Sequence, residues 1–276
     1  SVMPAYMGMI KQIDDEIGRL LAFLEEQGRM DDTMIVFTSD HGDYLGDHWM
    51  GEKDLFHEPS VHIPFIVYDP STGADKTRGT VSNELVEAID LAPTFLEAVG
   101  GYPQPHIMDG RALQPILHGK TLEEWRTHVI SEYDYAFMNA RIDLNKPPRE
   151  CWLRMVFDGR YKYVLSDGFR PMLFDLETDP DEFNDLGEDP AFEVERARLE
   201  KLLFEWALKP RQRVTVTDGM LENVDVQRNI AEAGILIGYY DEDELAEVRN
   251  GWESKPIFAA FNPVWAKMQK KLQGDS

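Results

Sequence analysis

Apolar residues recur every three or four positions near the beginning of the chain, and this spacing predicts an amphipathic helix over residues 4–27. Gly28 follows at a position suited to a helix C-cap. The pattern then becomes a continuous apolar run at 34–37, which is typical of a strand buried in a parallel sheet. A second strand is predicted over residues 62–68, and Pro64 indicates that this strand lies at an edge or has just begun there.

A further helix is predicted after residue 89. Asp90 stands at its N-cap position, Pro93 is tolerated in its first turn, and the apolar pattern ends near Val99. Gly100 and Gly101 then interrupt the chain, and a shorter helix is predicted at 111–117.

Strand-like segments dominate the part of the chain that follows Gly119. Asp158-Gly159 separates two of them and is a strong hairpin signal. A helix with an apolar face is predicted at 191–208. The predicted strands occupy residues 128–131, 152–157, 161–165 and 172–174.

These elements predict an α/β chain with three parts. Residues 1–119 form the α/β part that carries the candidate chemistry, and residues 120–208 form a small antiparallel sheet with a packing helix. Residues 209–276 are a linker and a C-terminal tail, which we expect to pack on the body or on a neighbouring subunit.

Composition narrows the classes of partner. The chain has 276 residues, of which 43% are hydrophobic and 29% charged, as in a globular protein with a sizeable core. The net charge of −23 argues against nucleic acid, because phosphate binding needs a basic face. No apolar run approaches the length of a membrane span, and no signal-peptide pattern is present. With a single cysteine, Cys151, we expect a cytoplasmic location and no internal disulfide.

The candidate chemistry lies where the first predicted strand ends, at Asp40-His41-Gly42. Ligands collect beyond the carboxyl ends of parallel strands in open α/β sheets. Asp40 and His41 would point to opposite faces of a regular strand, but Gly42 lets the backbone turn and bring both side chains to one centre. A carboxylate with an imidazole suits Zn, Mn, Fe or, less well, Ca, and the pair alone does not choose among these metals.

Lys53 follows thirteen positions after Asp40 and is a candidate contact for an anionic substrate. The alternative for the pair is that Asp40 caps a turn while His41 is a packed or surface histidine. We interpret three nearby histidines, His48, His57 and His62, as surface or structural residues.

The stretch 34–53 resembles the metal-binding signature of the sulfatases within the alkaline phosphatase superfamily, and most of all that of the phosphonate monoester hydrolases. The order and spacing of the motifs carry the resemblance, which covers roughly residues 4–208. Further matching segments lie at 62–70, 90–94, 109–111, 154–163, 171–176 and 185–187.

The resemblance implies the C-terminal half of an alkaline-phosphatase-like mixed-sheet domain with a small antiparallel subdomain. It implies one divalent metal ion, Mn, Ca, Zn or Fe, held in part by Asp40 and His41, and a lysine at position 53 that touches the substrate or the nucleophile. That nucleophile would be a formylglycine made from the cysteine of a Cys-x-Pro/Ala-x-Arg motif. The implied substrate is a small anionic ester, and we expect a homo-oligomer.

The chain departs from the family pattern at the nucleophile. Cys151 is followed by Leu153 and Met155 where the motif requires Pro or Ala and then Arg, so we reject it as the formylglycine precursor. The two acidic metal ligands that the family places upstream are also missing. We therefore expect this chain to be the C-terminal portion of an enzyme, with the N-terminal half as its partner, and we predict weak or no metal binding and no hydrolysis for the chain alone.

Two other functions stay open. One is a two-metal phosphotransferase or nucleotide pyrophosphatase of the same superfamily, with a Ser or Thr nucleophile and with His48 or His57 as extra ligands. The other is a non-catalytic assembly module.

Overall fold

A computed structural model describes residues 3–122, 124–166 and 168–209. The helices in this part of the chain are α1 (Met3–Glu26), α2 (Glu58–Val61), α3 (Leu91–Ala98), α4 (Gln114–Leu117), α5 (Asn139–Asp143) and α6 (Glu193–Leu208). Its strands are β1 (Ile35–Thr38), β2 (Phe65–Tyr68), β3 (Val129–Asp134), β4 (Trp152–Phe157), β5 (Tyr161–Leu165) and β6 (Met172–Asp175). It is therefore a mixed α/β chain.

The predicted long helix is confirmed, but its apolar stripe is largely uncovered. Gly28 adopts a left-handed φ of 64°, and the Arg29 amide donates to the Leu24 carbonyl at 2.8 Å, which closes the end of α1. None of the helix residues is buried within the described structure.

The strand β1 does not lie in a parallel sheet, contrary to the prediction. It pairs antiparallel with β2 in a two-stranded sheet, with Phe37 opposite Ile66. Both side chains are exposed, Phe37 at 40% and Ile66 at 62%. An apolar run indicates that a strand tends to be buried, but it does not indicate the direction of the neighbouring strand. The sequence pattern alone therefore could not predict whether β1 and its neighbour are parallel or antiparallel.

The second sheet is an antiparallel meander in the order β3-β4-β5-β6. The predicted hairpin is confirmed: Gly159 takes a φ of 96°, and the Asp158 carboxylate accepts from the amides of Arg160 and Tyr161. One face of the sheet packs against α6. The buried cluster between them consists of Val156, Tyr163, Leu173, Leu199 and Leu203.

Asp90 precedes α3 as predicted, but its carboxylate does not cap that helix. The side chain is fully buried and accepts hydrogen bonds from the Arg126 guanidinium and from the Arg111 amide at 2.7 Å. It also accepts from the Glu87 amide at 2.8 Å. The buried charge is better satisfied by an arginine than by the amides of the first helical turn, so Asp90 joins three separate segments.

None of the helices in the described residues is long and apolar enough to cross a membrane. The predicted tail, residues 209–276, lies outside the described residues apart from Lys209, and the division of the chain at 119 and 208 stays a prediction.

Candidate functional site

Asp40 and His41 come directly after β1, where the backbone leaves the two-stranded sheet. The structure brings their side chains together: Nε2 of His41 lies 3.4 Å from Oδ2 of Asp40. The Asp40 side chain is 85% exposed, whereas that of His41 is 37% exposed. The pair is therefore accessible from solvent.

The imidazole of His41 is held in one tautomer by its own turn. Nδ1 lies 2.7 Å from the carbonyl oxygen of Gly42, and because a carbonyl can only accept, Nδ1 carries the hydrogen. In the neutral imidazole, Nε2 is then the nitrogen with the lone pair, and it is the one that lies beside the carboxylate. A histidine that ligates a metal through one nitrogen usually donates from the other to a carbonyl or carboxylate, so this donor set fits part of a divalent-metal site.

Two ligands do not complete such a site. Within the described part of the chain, no group of three or more His, Cys, Asp and Glu side chains is arranged to hold a metal ion. Asp40 and His41 are thus placed as a pair that needs ligands from elsewhere, because divalent cations bound by proteins usually take about four to eight ligands.

Lys53 is exposed, and its backbone is tied to the pair through Ser60. The Ser60 hydroxyl donates to the Lys53 carbonyl at 2.6 Å, while the Ser60 carbonyl accepts from the Gly42 amide at 2.7 Å. Only glycine fits at position 42 in this backbone arrangement, since a Cβ there would lie 1.9 Å from the carbonyl oxygen of Pro59. The three predicted site residues therefore belong to one locally connected unit.

The loop between His41 and Lys53 is unusually strained. Of the seven non-glycine residues with positive φ in the described chain, four lie within it and a fifth lies two residues after Lys53. Such conformations cost about 1 kcal/mol or more each and cluster at functional sites, where the surroundings hold them. The residues are Leu45, His48, Trp49, Glu52 and Leu55.

The base of this loop is fixed by a buried tyrosine. The Tyr44 amide donates to the Glu52 carbonyl at 2.9 Å, and the Tyr44 hydroxyl lies 2.8 Å from Nδ1 of His57. The His57 ring stacks on His48 with centroids 4.0 Å apart and meets Phe174 of β6 edge-on. His48 and His57 therefore have the packing and structural roles that were predicted for them.

Burial shifts the titration of both partners in this contact. Desolvation, with smaller contributions from His48 and Lys162, lowers the pKa of His57 from 6.5 to about 4. Burial also raises the pKa of Tyr44 to about 12. At neutral pH the contact is therefore between a neutral imidazole and a neutral phenol.

The sequence did not predict a buried ion cluster next to this loop, formed by Lys162, Glu58 and Glu182. Lys162 of β5 is buried, with Nζ 2.7 Å from Oε1 of Glu58 and 2.7 Å from Oε1 of Glu182. Burial raises the pKa of Glu182. A charged residue in a strand and two glutamates in loop-like sequence give no local signal of a buried ion cluster, because the pairs span 104 and 20 positions (162 − 58 and 182 − 162).

Two further candidates, the Cys151 thiol and a cluster of Asp69, Ser71 and His118, do not form catalytic arrangements. The Cys151 thiol is fully buried just before β4, with Sγ 3.5 Å from the Pro147 carbonyl. Asp69, Ser71 and His118 have the residue types of a hydrolase triad, but both Asp69 and Ser71 contact Nε2 of the histidine. A relay needs the two contacts on opposite nitrogens, so this cluster cannot activate the serine.

Comparison with known proteins shows which family the chain is similar to. A sequence model of the family described as Sulfatase matches residues 1–102. The multifunctional alkaline phosphatase superfamily protein PehA of Trinickia caryophylli is 38% identical over 190 residues, which cover 68% of this chain and 36% of the relative. An arylsulfatase of Clostridium perfringens is 30% identical over 199 residues, which cover 72% of this chain and 38% of that protein.

Among solved structures, the phosphonate monoester hydrolase of Agrobacterium radiobacter matches with a TM-score of 0.67 and 35% identity, covering 73% of this chain and 40% of that chain. The described fold is therefore part of an alkaline-phosphatase-like sulfatase fold. The chain belongs to the sulfatase family of the alkaline phosphatase superfamily. It spans little more than a third of the length of the curated relatives it matches.

Proposed function

We propose that this chain supplies part of the catalytic domain of a metal-dependent hydrolase of phosphonate, phosphate or sulfate esters. The observation that carries the proposal is the pairing of Asp40 with His41 at the end of β1, with Nδ1 of His41 held by the Gly42 carbonyl and Nε2 3.4 Å from the carboxylate. Family membership supports ester hydrolysis in general. The position of Lys53, tied to the same turn through Ser60, supports a contact with the substrate anion.

Each residue has a distinct part in this proposal. Asp40 and His41 would hold one divalent ion, and such an ion polarises the oxygens of the transferring group when it is bound. Lys53 would place a positive charge beside the ester anion, in a chain whose net charge of −23 repels anions elsewhere. We propose that a formylglycine supplied from outside this chain is the nucleophile, because Cys151 is buried and lacks the required motif.

The partner in this proposal is the remainder of the catalytic domain, which would bring the nucleophile and the other metal ligands. The supporting observation is the partial coverage of the relatives together with the two-ligand site. We also propose a cytoplasmic location.

The alternative of a two-metal phosphotransferase or nucleotide pyrophosphatase is not favoured, because His57, one of its candidate extra ligands, contacts the Tyr44 hydroxyl and stacks on His48.

Metal binding and turnover test the proposal. Metal content, Mn²⁺ and Zn²⁺ titrations, and hydrolysis of an aryl phosphonate and an aryl sulfate would be measured for the chain alone and for the chain joined to an N-terminal half. We expect weak metal binding and no turnover for the chain alone, and turnover for the joined protein. In the joined protein Asp40→Ala and His41→Ala should lose metal, and Lys53→Ala should lower kcat about 100-fold.

Asp47→Ala is the matched control, because Asp47 is an exposed carboxylate in the same loop. It should leave metal content and turnover unchanged. Robust turnover by the chain alone would refute the partial-site proposal, and unchanged metal binding in Asp40→Ala and His41→Ala would refute the ligand roles.

A further inference from the structure

The helix α2 contacts the backbone of the candidate site at two places, Gly42 and Lys53. Ser60, in this helix, is 2% exposed. Its carbonyl accepts from the amide next to His41, and its hydroxyl donates to the carbonyl of Lys53. One buried residue therefore determines where the backbone of the metal-ligand turn and the backbone of the lysine lie relative to each other.

The position of α2 is set in turn by the small antiparallel sheet. Glu182 is buried in the segment after β6, and its Oε2 accepts from the Glu58 backbone amide at 2.6 Å, at the first residue of α2. Lys162 of β5 contacts the Glu58 side chain from the same side. Glu182 and Lys162 both belong to the small-sheet region, and both contact Glu58, the residue where α2 begins.

The burial of this ion cluster makes the link rigid. The Lys162 side chain is 1% exposed and that of Glu182 is fully buried, whereas Glu58 is partly accessible. A buried ammonium group is tolerated only while its carboxylate partners stay within contact distance, so displacement of α2 would leave the charge uncompensated. Phe56 adds an apolar contact, since it is buried against Met155 and Val164 of the same sheet.

We propose that Ser60 is a positioning residue for the candidate site and that the Lys162–Glu182 pair holds it in place through Glu58. The small sheet thereby acts on the reaction without touching the substrate: it sets the separation between the Asp40–His41 pair and Lys53. The catalytic part of this inference rests on the proposed function, whereas the structural link from the sheet to Gly42 and Lys53 does not.

Ser60→Ala tests the link in the chain as it exists, with hydrogen–deuterium exchange as the readout. The variant removes the hydroxyl and keeps the carbonyl. Amide exchange over residues 51–56 should therefore rise about tenfold while Gly42 stays protected. Ser60→Thr keeps a hydroxyl and should restore slow exchange.

Ser166→Ala is the matched control. Ser166 is also a buried serine whose hydroxyl donates to a backbone carbonyl, that of Trp152 at 3.0 Å, but it follows β5 directly and its hydroxyl bonds to β4 and not to the Lys53 backbone. Its loss should leave residues 51–56 unchanged. Glu58→Gln weakens the ion cluster without leaving Lys162 wholly unpaired, and it should raise exchange at Gly42 as well as over 51–56.

Turnover separates positioning from a purely structural role. In the joined protein described above, Ser60→Ala should lower kcat about tenfold with KM unchanged, and Ser60→Thr should recover it. Exchange over 51–56 that is the same in Ser60→Ala as in the wild type overturns the proposal, as does raised exchange with an unchanged kcat. If the wild-type joined protein neither binds metal nor turns over, the proposed function fails, and the exchange data with the Ser60→Thr rescue alone decide whether Ser60 sets this geometry.

Discussion

The two sheets in the described part of the chain differ in how completely their apolar residues are covered. The four-stranded sheet and α6 enclose a cluster in which Leu173 and Leu199 are fully buried. The two-stranded sheet and α1 have apolar residues of the same kinds, but Leu20 is 54% exposed and Phe37 is 40% exposed. The amphipathic pattern is present in both regions, so the pattern alone does not determine whether burial is achieved.

The difference shows where the first region of the chain, residues 3–119, obtains its stability. Its buried aromatic residues, Tyr44 and Phe56, both lie in the segment that meets the small sheet. Tyr44 is linked to that sheet through His57, whose ring contacts Phe174. We infer that the small sheet supports the candidate site as well as forming its own core.

A matched pair of phenylalanines gives the largest expected contrast. Phe56→Ala removes a buried ring from the contact with Met155 and Val164, and it should lower the free energy of unfolding by about 4 kcal/mol. Phe37→Ala removes a partly exposed ring from β1 and should cost about 1 kcal/mol. Urea unfolding of both variants measures the difference, and equal losses would contradict the view that the small sheet stabilises the first region.

A matched pair of helix leucines tests the same contrast away from the site. Leu199→Ala in α6 should cost about 3 kcal/mol, because it leaves a cavity in the cluster against the small sheet. Leu20→Ala in α1 should change stability by about 0.5 kcal/mol, since the side chain is already half in solvent and alanine favours the helix. Thermal unfolding of both variants would reveal an error if Leu20→Ala were the more damaging substitution.

The elements of the fold were largely predictable from the sequence. The three-to-four-residue spacing predicted α1, and Asp158-Gly159 predicted the β4–β5 hairpin, because both signals depend on neighbours in the chain. The predicted direction of β1 was wrong, and nothing in the sequence indicated the partners of the Asp90 carboxylate, although the N-cap position of Asp90 was predicted correctly. Both depend on groups that are distant in sequence, such as β2 for the strand and Arg126 for the carboxylate.

The residues of the candidate site also fall into two groups, those that a local motif indicates and those that it does not. Asp40, His41 and Lys53 stand out in a short motif, and their roles stay predictions. Ser60 carries no motif, and its importance comes from two hydrogen bonds that appear only when the chain turns back on itself. The buried Lys162 was equally hidden, because a lysine in a strand is exposed far more often than it is buried.

The contact between Tyr44 and His57 predicts a pH dependence, the smallest of these effects. The folded pKa of His57 is about 4 and the ordinary value is 6.5, so between these values the unfolded chain binds a proton that the folded chain does not. Stability therefore falls as pH decreases through this window. The midpoint of thermal unfolding should drop about 3 °C more in the wild type than in His57→Gln between pH 7.0 and pH 4.5.

His106→Gln serves as the control for this measurement, because His106 lies outside the cluster of Tyr44, His48 and His57. It should keep the wild-type dependence on pH. If His57→Gln kept that dependence as well, the imidazole would not be desolvated at the junction with the small sheet. The inference that the small sheet buries this part of the first region would then fail for His57 and would rest on Phe56 alone.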